Sequence, residues 1–260
     1  MFANTIASLV LIFSISFNGI ANDETTQTIP AVKLIADEWC PYTCRDSVQD
    51  RGLIVDVAAA AFKEVGMEVS YESTSWTRAI REVDNGGHDA LLGADIVRRP
   101  YFYFSEDFLI NEETAFVILS DSDITIDKPA DLSKYKLGLM ANYAYADNSE
   151  WQSVIHGHAN TVQLPGSYGE VRLLELLGKK RIEIALMNID VAKYYVKNHP
   201  EMQSPKYIRK GLNGTLMVGF SPNERGKALS LKFTEGLQRI KNTEKLKAIY
   251  KKYGIDLPTK

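Results

Sequence analysis

Charged residues are missing from the start of the chain. Residues 1–21 contain no Asp, Glu, Lys or Arg, and their apolar centre runs from about Ile6 to Phe17. Small residues stand at Gly19 and Ala21, directly before a polar stretch. This pattern is typical of a secretory signal peptide that is cleaved near Ala21. The alternative, an uncleaved membrane anchor, is disfavoured because the apolar stretch is shorter than the ~20 residues that a span requires.

The rest of the chain has no large excess of charge of either sign and no second long apolar run. The formal net charge is −3 at pH 7, which argues against nucleic acid as a partner. No segment after the signal peptide is apolar enough to cross a membrane, and no low-complexity linker interrupts the sequence. The length suffices for one large or two smaller globular domains.

Cysteine is scarce, since only Cys40 and Cys44, in the segment WCPYTC, are present. In an oxidising compartment the two are expected to form a disulfide, which stabilises so short a loop by about 2 kcal/mol. A thiol redox site is the alternative, although the usual Cys-x-x-Cys spacing is absent. A zinc site is disfavoured because the few histidines are scattered. We therefore expect neither a metal nor another cofactor.

Apolar strand patterns alternate with helical patterns along the chain. Strands are predicted at about residues 31–36, 69–71, 89–94, 136–141, 161–164 and 182–187. Helices are predicted at about residues 55–65, 76–83, 145–155, 168–177 and 189–197, with two more before the C-terminus. This alternation indicates an α/β fold with parallel sheets covered by helices, and two sets of strands suggest two similar lobes.

Two arginines follow a strand that should be buried. The apolar run Ala90–Ala94 leads directly to Asp95, Arg98 and Arg99. Ligands of open parallel sheets bind beyond the carboxyl ends of the strands, so these side chains stand where a ligand would. A guanidinium group presents a planar fork that matches a carboxylate. The alternative is a structural role, in which an arginine caps a helix or pairs with Asp95 or Glu106.

The order and spacing of several short motifs resemble a known family. The motifs are Trp39-Cys40-Pro41-Tyr42, Gly52-x-x-x-Asp56, Trp76 before a helix, Gly86-x-x-Asp89, and Arg98 six residues before Phe104-Ser105. From about residue 30 to 255 the chain resembles the bacterial extracellular solute-binding proteins of family 3. The resemblance implies a two-lobed fold of the type II periplasmic binding proteins, in which each lobe is a mainly parallel sheet flanked by helices.

The resemblance also implies an organisation and a role. Lobe 1 would comprise residues 22–108 and 217–260, and lobe 2 residues 109–216, with hinge crossings near 108–111 and 216–220. The protein would be a monomeric periplasmic receptor that closes on a small polar ligand. An ABC permease or a membrane sensor would be its partner.

The family's ligand-binding positions can be transferred to this sequence. Arg98 would hold a ligand carboxylate, and Trp39 and Trp76 would flank the ligand, unless either tryptophan belongs to the core. The other predicted site residues are Arg78, Gly93, Ala94, Asp95, Asn142, Tyr143 and Asn188. The chain departs from the family because no hydroxyl stands at residues 93–94. Asn188 replaces the aspartate that receives a ligand ammonium, and Asp190 follows two positions later. The predicted ligand is an amino acid or a related small carboxylate.

Two other functions remain open from the sequence. An enzyme on the same fold, such as a dehydratase or lyase, could use Asp95, Glu170 or Glu183, but these acids form no recognisable catalytic constellation. An orphan module that contacts a partner protein without a ligand is the second alternative.

Overall fold

The computed structural model describes Met1 and residues 31–45, 49–95, 101–143, 145, 149–165 and 169–258. The predicted signal peptide beyond Met1 lies outside the described residues. So do Arg98 and Arg99, to which the sequence assigned the grip on a ligand carboxylate.

The strands among the described residues agree with the predicted ones to within two or three residues, with additions in the middle and near the end of the chain. They are β1 Val32–Asp37, β2 Val69–Thr74, β3 Ala90–Asp95, β4 Tyr103–Phe104, β5 Ile110–Leu119, β6 Leu137–Met140, β7 Thr161–Leu164, β8 Ile184–Asn188 and β9 Pro205–Phe220.

The helices of the described residues also follow the predicted pattern. They are α1 Leu53–Glu64, α2 Trp76–Asp84, α3 Ser149–His156, α4 Gly169–Gly178, α5 Ile189–Asn198, α6 Glu224–Ile240 and α7 Glu244–Tyr253, with a 3₁₀ helix at Pro129–Lys134. Within the described part of the chain, no helix combines the length and apolar character that a membrane span requires.

The described strands form one mixed sheet in the order β2-β1-β3-β9-β5-β8-β6-β7, with β4 paired to β9. Strands β2, β1 and β3 are parallel and form the first strand group, and β8, β6 and β7 are parallel and form the second strand group. Strands β5 and β9 lie between the groups and pair antiparallel with their neighbours. The predicted α/β fold is confirmed, with two parallel strand groups joined by the antiparallel central strands β5 and β9.

The central pair β5–β9 runs from Ile110 opposite Leu216 to Leu119 opposite Pro205. Its register shifts between Thr114 and Phe116, so the ladder of hydrogen bonds is interrupted in the middle. The two connections between the strand groups are therefore neighbouring strands that bend at one place.

The helices α1 and α6 pack closely over the first strand group. A Cβ atom at Gly236 would lie only 2.0 Å from the carbonyl oxygen of Ala61, so this contact requires glycine. Beside it, the rings of Phe62, Phe220 and Phe233 pack with centroids 5.5 to 6.3 Å apart. This packing fixes the end of β9 against the first strand group.

Candidate functional site

A narrow cavity lies where the two strand groups face each other. Its volume is about 50 Å³, which is room for about four water molecules. It is lined by Asp37, Trp39, Trp76, Leu92, Gly93, Asp95, Glu112, Thr114, Tyr143, Tyr145, Glu170, Asn188 and Leu216. Both strand groups and both central strands contribute to this lining.

The chain brings these residues together at the carboxyl ends of parallel strands, where ligands of such sheets bind. Asp37 and Asp95 are the last residues of β1 and β3, and Asn188 is the last residue of β8. Gly93 lies where the register of β3 shifts, and its φ of +74° is an angle that favours glycine. A Cβ atom at Gly93 would lie 4.0 Å from the Trp39 ring, so this glycine lies beside the indole at the cavity.

Three aromatic rings meet at the cavity. The ring of Tyr143 contacts Trp39 and Trp76 edge to face, with centroids 6.0 and 6.1 Å apart. The Tyr143 hydroxyl also donates a hydrogen bond to Asp37. Tyr143 follows β6 of the second strand group, whereas the residues it contacts belong to the other side, so its side chain bridges the cleft.

Two further hydrogen bonds join the same two sides. The Tyr42 hydroxyl donates to Asp190 Oδ2 over 3.1 Å, and Asn142 Nδ2 donates to Thr77 Oγ1 over 3.1 Å. Direct side-chain contacts therefore span the cleft between the two strand groups in this structure.

Asn188 is occupied by structural hydrogen bonds. Its Oδ1 accepts from the backbone N–H groups of Asp190 and Val191 and so caps the N-terminus of α5. Its amide nitrogen donates to Glu112 Oε2 over 2.9 Å. Asn188 stands at the position that the sequence predicted to bind a ligand amine, and its side chain instead holds the Glu112 carboxylate, which lines the cavity. Asp190 does not line the cavity.

Two carboxyl groups of the cavity have raised pKa values. Burial raises the pKa of Asp37 to about 6, although the hydrogen bond from Tyr143 acts in the opposite direction. Burial also raises the pKa of Glu170 well above its ordinary value, and the negative charges of Asp37 and Glu112 add to this effect. The site therefore holds acids that are costly to ionise while it is empty.

Glu170 lacks a partner for one of its oxygens. Its side chain is 4% exposed, and Oε2 has no hydrogen-bond partner among the described residues. The Trp39 indole lies near enough to lower the pKa of Glu170, but its Nε1 also has no hydrogen-bond partner there. Because neither atom meets the distance and angle requirements of a hydrogen bond, the Trp39 indole and the Glu170 carboxyl group are neighbours that are not hydrogen-bonded.

The structure brings many of the predicted site residues together and leaves others outside. The cavity includes Trp39, Trp76, Gly93, Asp95, Tyr143 and Asn188. Arg78 does not reach it, because its half-exposed side chain points to Glu82, 3.8 Å away. Ala94 is fully buried and packs behind the bend at Gly93, and Asn142 is exposed at the cleft rim. Arg78, Ala94 and Asn142 therefore lie outside the lining of this cavity.

The Cys40–Cys44 disulfide is confirmed, with 4.8 Å between the Cα atoms. It closes the turn in which Trp39 pairs with Thr43 through a β-bridge. The turn holds Trp39 at the cavity and Tyr42 at the contact with Asp190.

Sequence reasoning did not assign Asp37, Glu112, Thr114, Tyr145 or Glu170 to the ligand site. Asp37 could have been found, because it ends β1 as Asp95 ends β3. Glu170 stands in the first turn of α4, where an acid is ordinary for a helix and gives no signal of its own.

Within the described residues, no group of three or more His, Cys, Asp or Glu side chains could hold a metal ion.

The solved structures most similar to this chain include binding proteins and a sensor domain. The arginine-, lysine-, histidine-binding protein ArtJ from Geobacillus stearothermophilus is 18% identical, covers 88% of this chain and 97% of its own, and gives a TM-score of 0.73. A histidine kinase sensor domain with similarity to periplasmic binding proteins is 20% identical, with coverage of 88% and 98% and a TM-score of 0.73. An ABC uptake transporter substrate-binding protein from Streptococcus pneumoniae with bound histidine is 21% identical, with coverage of 88% and 95% and a TM-score of 0.71. These similarities show the fold.

The family assignment comes from the sequence itself. The sequence profile of the bacterial extracellular solute-binding proteins, family 3, matches residues 33–256. A search of curated proteins found no match. The family and the similar structures are binding proteins, which confirms the expectation that the protein is not an enzyme. The chain belongs to the bacterial extracellular solute-binding proteins of family 3.

Proposed function

We propose that this protein is a secreted receptor that closes two lobes around one small polar ligand. The observation that carries the proposal is the cavity itself, which is enclosed by residues from both strand groups. Asp37, Trp39 and Trp76 line it from one side, and Tyr143 and Glu170 line it from the other. A ligand in this position would contact both sides at once and so stabilise the closed form.

The lobes we propose are residues 22–108 with 217–260, and residues 109–216. The pairing of Ile110 with Leu216 supports crossings near 108–111 and 216–220. The interrupted register of the β5–β9 pair gives both crossings a common place to bend. Opening would be a hinge motion of two rigid lobes that breaks the contacts of Tyr42, Asn142 and Tyr143 across the cleft.

The receptor would act in the periplasm as a monomer after cleavage near Ala21, and would deliver its ligand to an ABC permease or report it to a membrane sensor. The similar structures include proteins of both kinds. Their ligands include arginine, histidine and glutamine, which supports an amino acid or a related compound for this chain. A carboxylate grip by Arg98 remains part of the proposal.

A ligand screen with two readouts tests this function. Amino acids, amines and small organic acids are added to residues 22–260, and the melting temperature and the radius of gyration are measured. A ligand at 100 times its Kd stabilises the protein by about 2.7 kcal/mol, which raises the melting temperature by roughly 5–10 °C. It should also keep or increase the compactness of the protein. If no compound in the screen stabilises the protein, or if binding occurs with the lobes open, the proposal is wrong.

A further inference from the structure

We infer that the ligand carries a positively charged organic group, an ammonium, guanidinium or methylated ammonium, and that the carboxylate of Glu170 anchors this group. The inference rests on the proposed function, because it names the chemistry of the ligand that closes the cleft.

The charge of the cavity is the first argument. Asp37, Asp95, Glu112 and Glu170 line it, and no lysine, arginine or histidine is among the described residues that do so. Carboxylates accept hydrogen bonds, so the matching ligand group is a donor, and a positively charged donor also neutralises the site. The acidity of the cavity thus favours a cation over a neutral or purely anionic molecule.

The state of Glu170 is the second and independent argument. An acid this deeply buried is normally paired, because an unpaired buried charge is strongly destabilising. Glu112, in contrast, accepts hydrogen bonds from Asn188 over 2.9 Å and Thr114 over 3.5 Å. Glu170 Oε2 is left without a partner among the described residues, and the cavity is the space it faces. A bound cation would supply the missing partner.

The aromatic rings are the third argument. Trp39, Trp76 and Tyr143 line the same cavity, and the Tyr143 ring contacts the two indole rings with centroids 6.0 and 6.1 Å apart. The faces of aromatic rings attract cations, and this attraction is stronger in a site from which water is excluded. Acids and aromatic rings together are a suitable lining for an organic cation.

The size of the site separates an organic cation from a metal ion. The described acids do not converge closely enough to bind a metal. The cavity of about 50 Å³ is nonetheless smaller than most organic ligands, and the Tyr143 hydroxyl occupies Asp37. An ammonium or guanidinium group can also donate a hydrogen bond to Asp37. When the cleft opens, the hydrogen bond from Tyr143 to Asp37 would break, and when the cleft closes on a ligand, the cationic group of the ligand would take the place of the Tyr143 hydroxyl.

The proton balance is consistent with this exchange. The titratable groups near Glu170 are Asp37 on β1, Glu112 on β5, Tyr143 and Tyr145 after β6, and Tyr195 on α5. The negative charges of Asp37 and Glu112 raise the pKa of Glu170. The charge of Glu170 in turn raises the pKa values of the three tyrosines. Burial and the acids keep the pKa of Glu170 high while the site is empty, and a cation beside it would lower that pKa. Binding should then release protons.

Matched ligands test the charge requirement. Choline is compared with dimethylbutanol, its uncharged carbon isostere, and putrescine is compared with butanediol, whereas arginine and agmatine supply a guanidinium with and without a carboxylate; affinity is measured by calorimetry. At least one cation should bind about 100-fold or more tightly than either uncharged analogue. Binding of arginine but not agmatine would support a cation that also needs the carboxylate, as Arg98 predicts. A best ligand that carries no cationic group, or an uncharged analogue that binds as tightly as its cation, would overturn the inference but leave the receptor function intact.

A matched pair of variants tests the anchor. Glu170→Gln keeps the size of the side chain and removes its charge, and should weaken cation binding by about 100-fold or more. Glu175→Gln is the control on the same helix, because Glu175 is exposed and lies 3.8 Å from Lys179; it should change the affinity less than about twofold. If Glu170→Gln does not fold, Asp37→Asn serves as the second variant and should also lose cation affinity. A folded Glu170→Gln variant with unchanged affinity would refute the role of Glu170.

Discussion

Asp89 and Glu170 are both deeply buried acids, yet the protein treats them in opposite ways. Asp89 accepts two hydrogen bonds from the Arg225 guanidinium, over 2.6 and 3.0 Å, and one from the Lys33 backbone N–H over 2.9 Å. Burial alone would raise the pKa of Asp89, but these hydrogen bonds outweigh burial and lower it. No cation of the described residues is paired with Glu170, and its pKa is raised.

The different environments of the two acids indicate different roles, because Asp89 stabilises the fold and Glu170 belongs to the candidate site. Asp89 ties the start of β3 to α6 and needs nothing from outside the protein. Glu170 is an acid whose environment is complete only with an added partner, and it lies in the cavity between the strand groups. Four predictions, ordered by the size of the expected effect on the free energy of unfolding, test this contrast.

The pH dependence of Asp37 is the largest expected effect. Its pKa rises from 3.8 in the unfolded chain to about 6 in the folded one, so the folded state holds the proton more tightly. The stabilisation from this proton is complete below about pH 4 and is lost as the pH rises to 6, a change of about 3 kcal/mol. Asp37→Asn removes this titration. Between about pH 3 and pH 7 the stability of the variant relative to the parent should therefore rise by about 3 kcal/mol in urea titrations, and a constant difference would contradict the prediction.

Removing the charge of the paired acid should be destabilising. Asp89→Asn loses the charge-assisted contacts with Arg225, and the free energy of unfolding should fall by about 2 kcal/mol at pH 7. Denaturant unfolding measures this change. A loss below about 0.5 kcal/mol would show that the half-exposed Arg225 contributes little to the fold.

Removing the hydroxyl of Tyr143 should have a smaller effect. Tyr143→Phe keeps the ring contacts with Trp39 and Trp76 but removes the hydrogen bond to Asp37. We expect a loss of about 1 kcal/mol and a larger radius of gyration without ligand, because one contact across the cleft is gone. An unchanged radius in small-angle scattering would mean that this hydrogen bond does not hold the closed form.

Neutralising the unpaired acid should have the smallest effect. Glu170→Gln in the ligand-free protein should leave the stability at pH 7 within about 1 kcal/mol of the parent, on the stabilising side, since no partner is lost. The same kind of substitution would thus be harmful at Asp89 and harmless at Glu170. If the free energy of unfolding of Glu170→Gln falls by about 2 kcal/mol or more, Glu170 stabilises the fold as Asp89 does, and the proposed difference between the two acids is wrong.

Much of the fold could be predicted from the sequence, because apolar periodicity reports burial directly. The strand at 161–164 was predicted with its observed bounds, and the helix at 189–197 to within one residue. The first half of β9 was not predicted, because its residues alternate between exposed and half-buried and are interrupted at Gly211 and Gly214. Its strand conformation comes from pairing with β5, which a local pattern does not reveal.

The site was less predictable, for a reason that particular residues illustrate. Asp95 and Trp76 were found because strand ends and motif spacing are local signals. Glu112 and Glu170 resemble ordinary acids of an exposed strand and a helix start, and become notable only when packing buries them together. The sequence predicted Asn188 as a ligand-binding residue from its position, but in the structure its side-chain oxygen caps the N-terminus of α5.

The most direct test is the count of protons released when a cation binds. The tightest-binding compound among arginine, agmatine, putrescine and choline is titrated calorimetrically across the acid and neutral pH range, at each pH in two buffers with different ionisation enthalpies. If an empty, protonated Glu170 becomes the anion that holds the ligand, protons are released to the buffer, up to about one per ligand. Binding without proton exchange, or with proton uptake, would contradict the account.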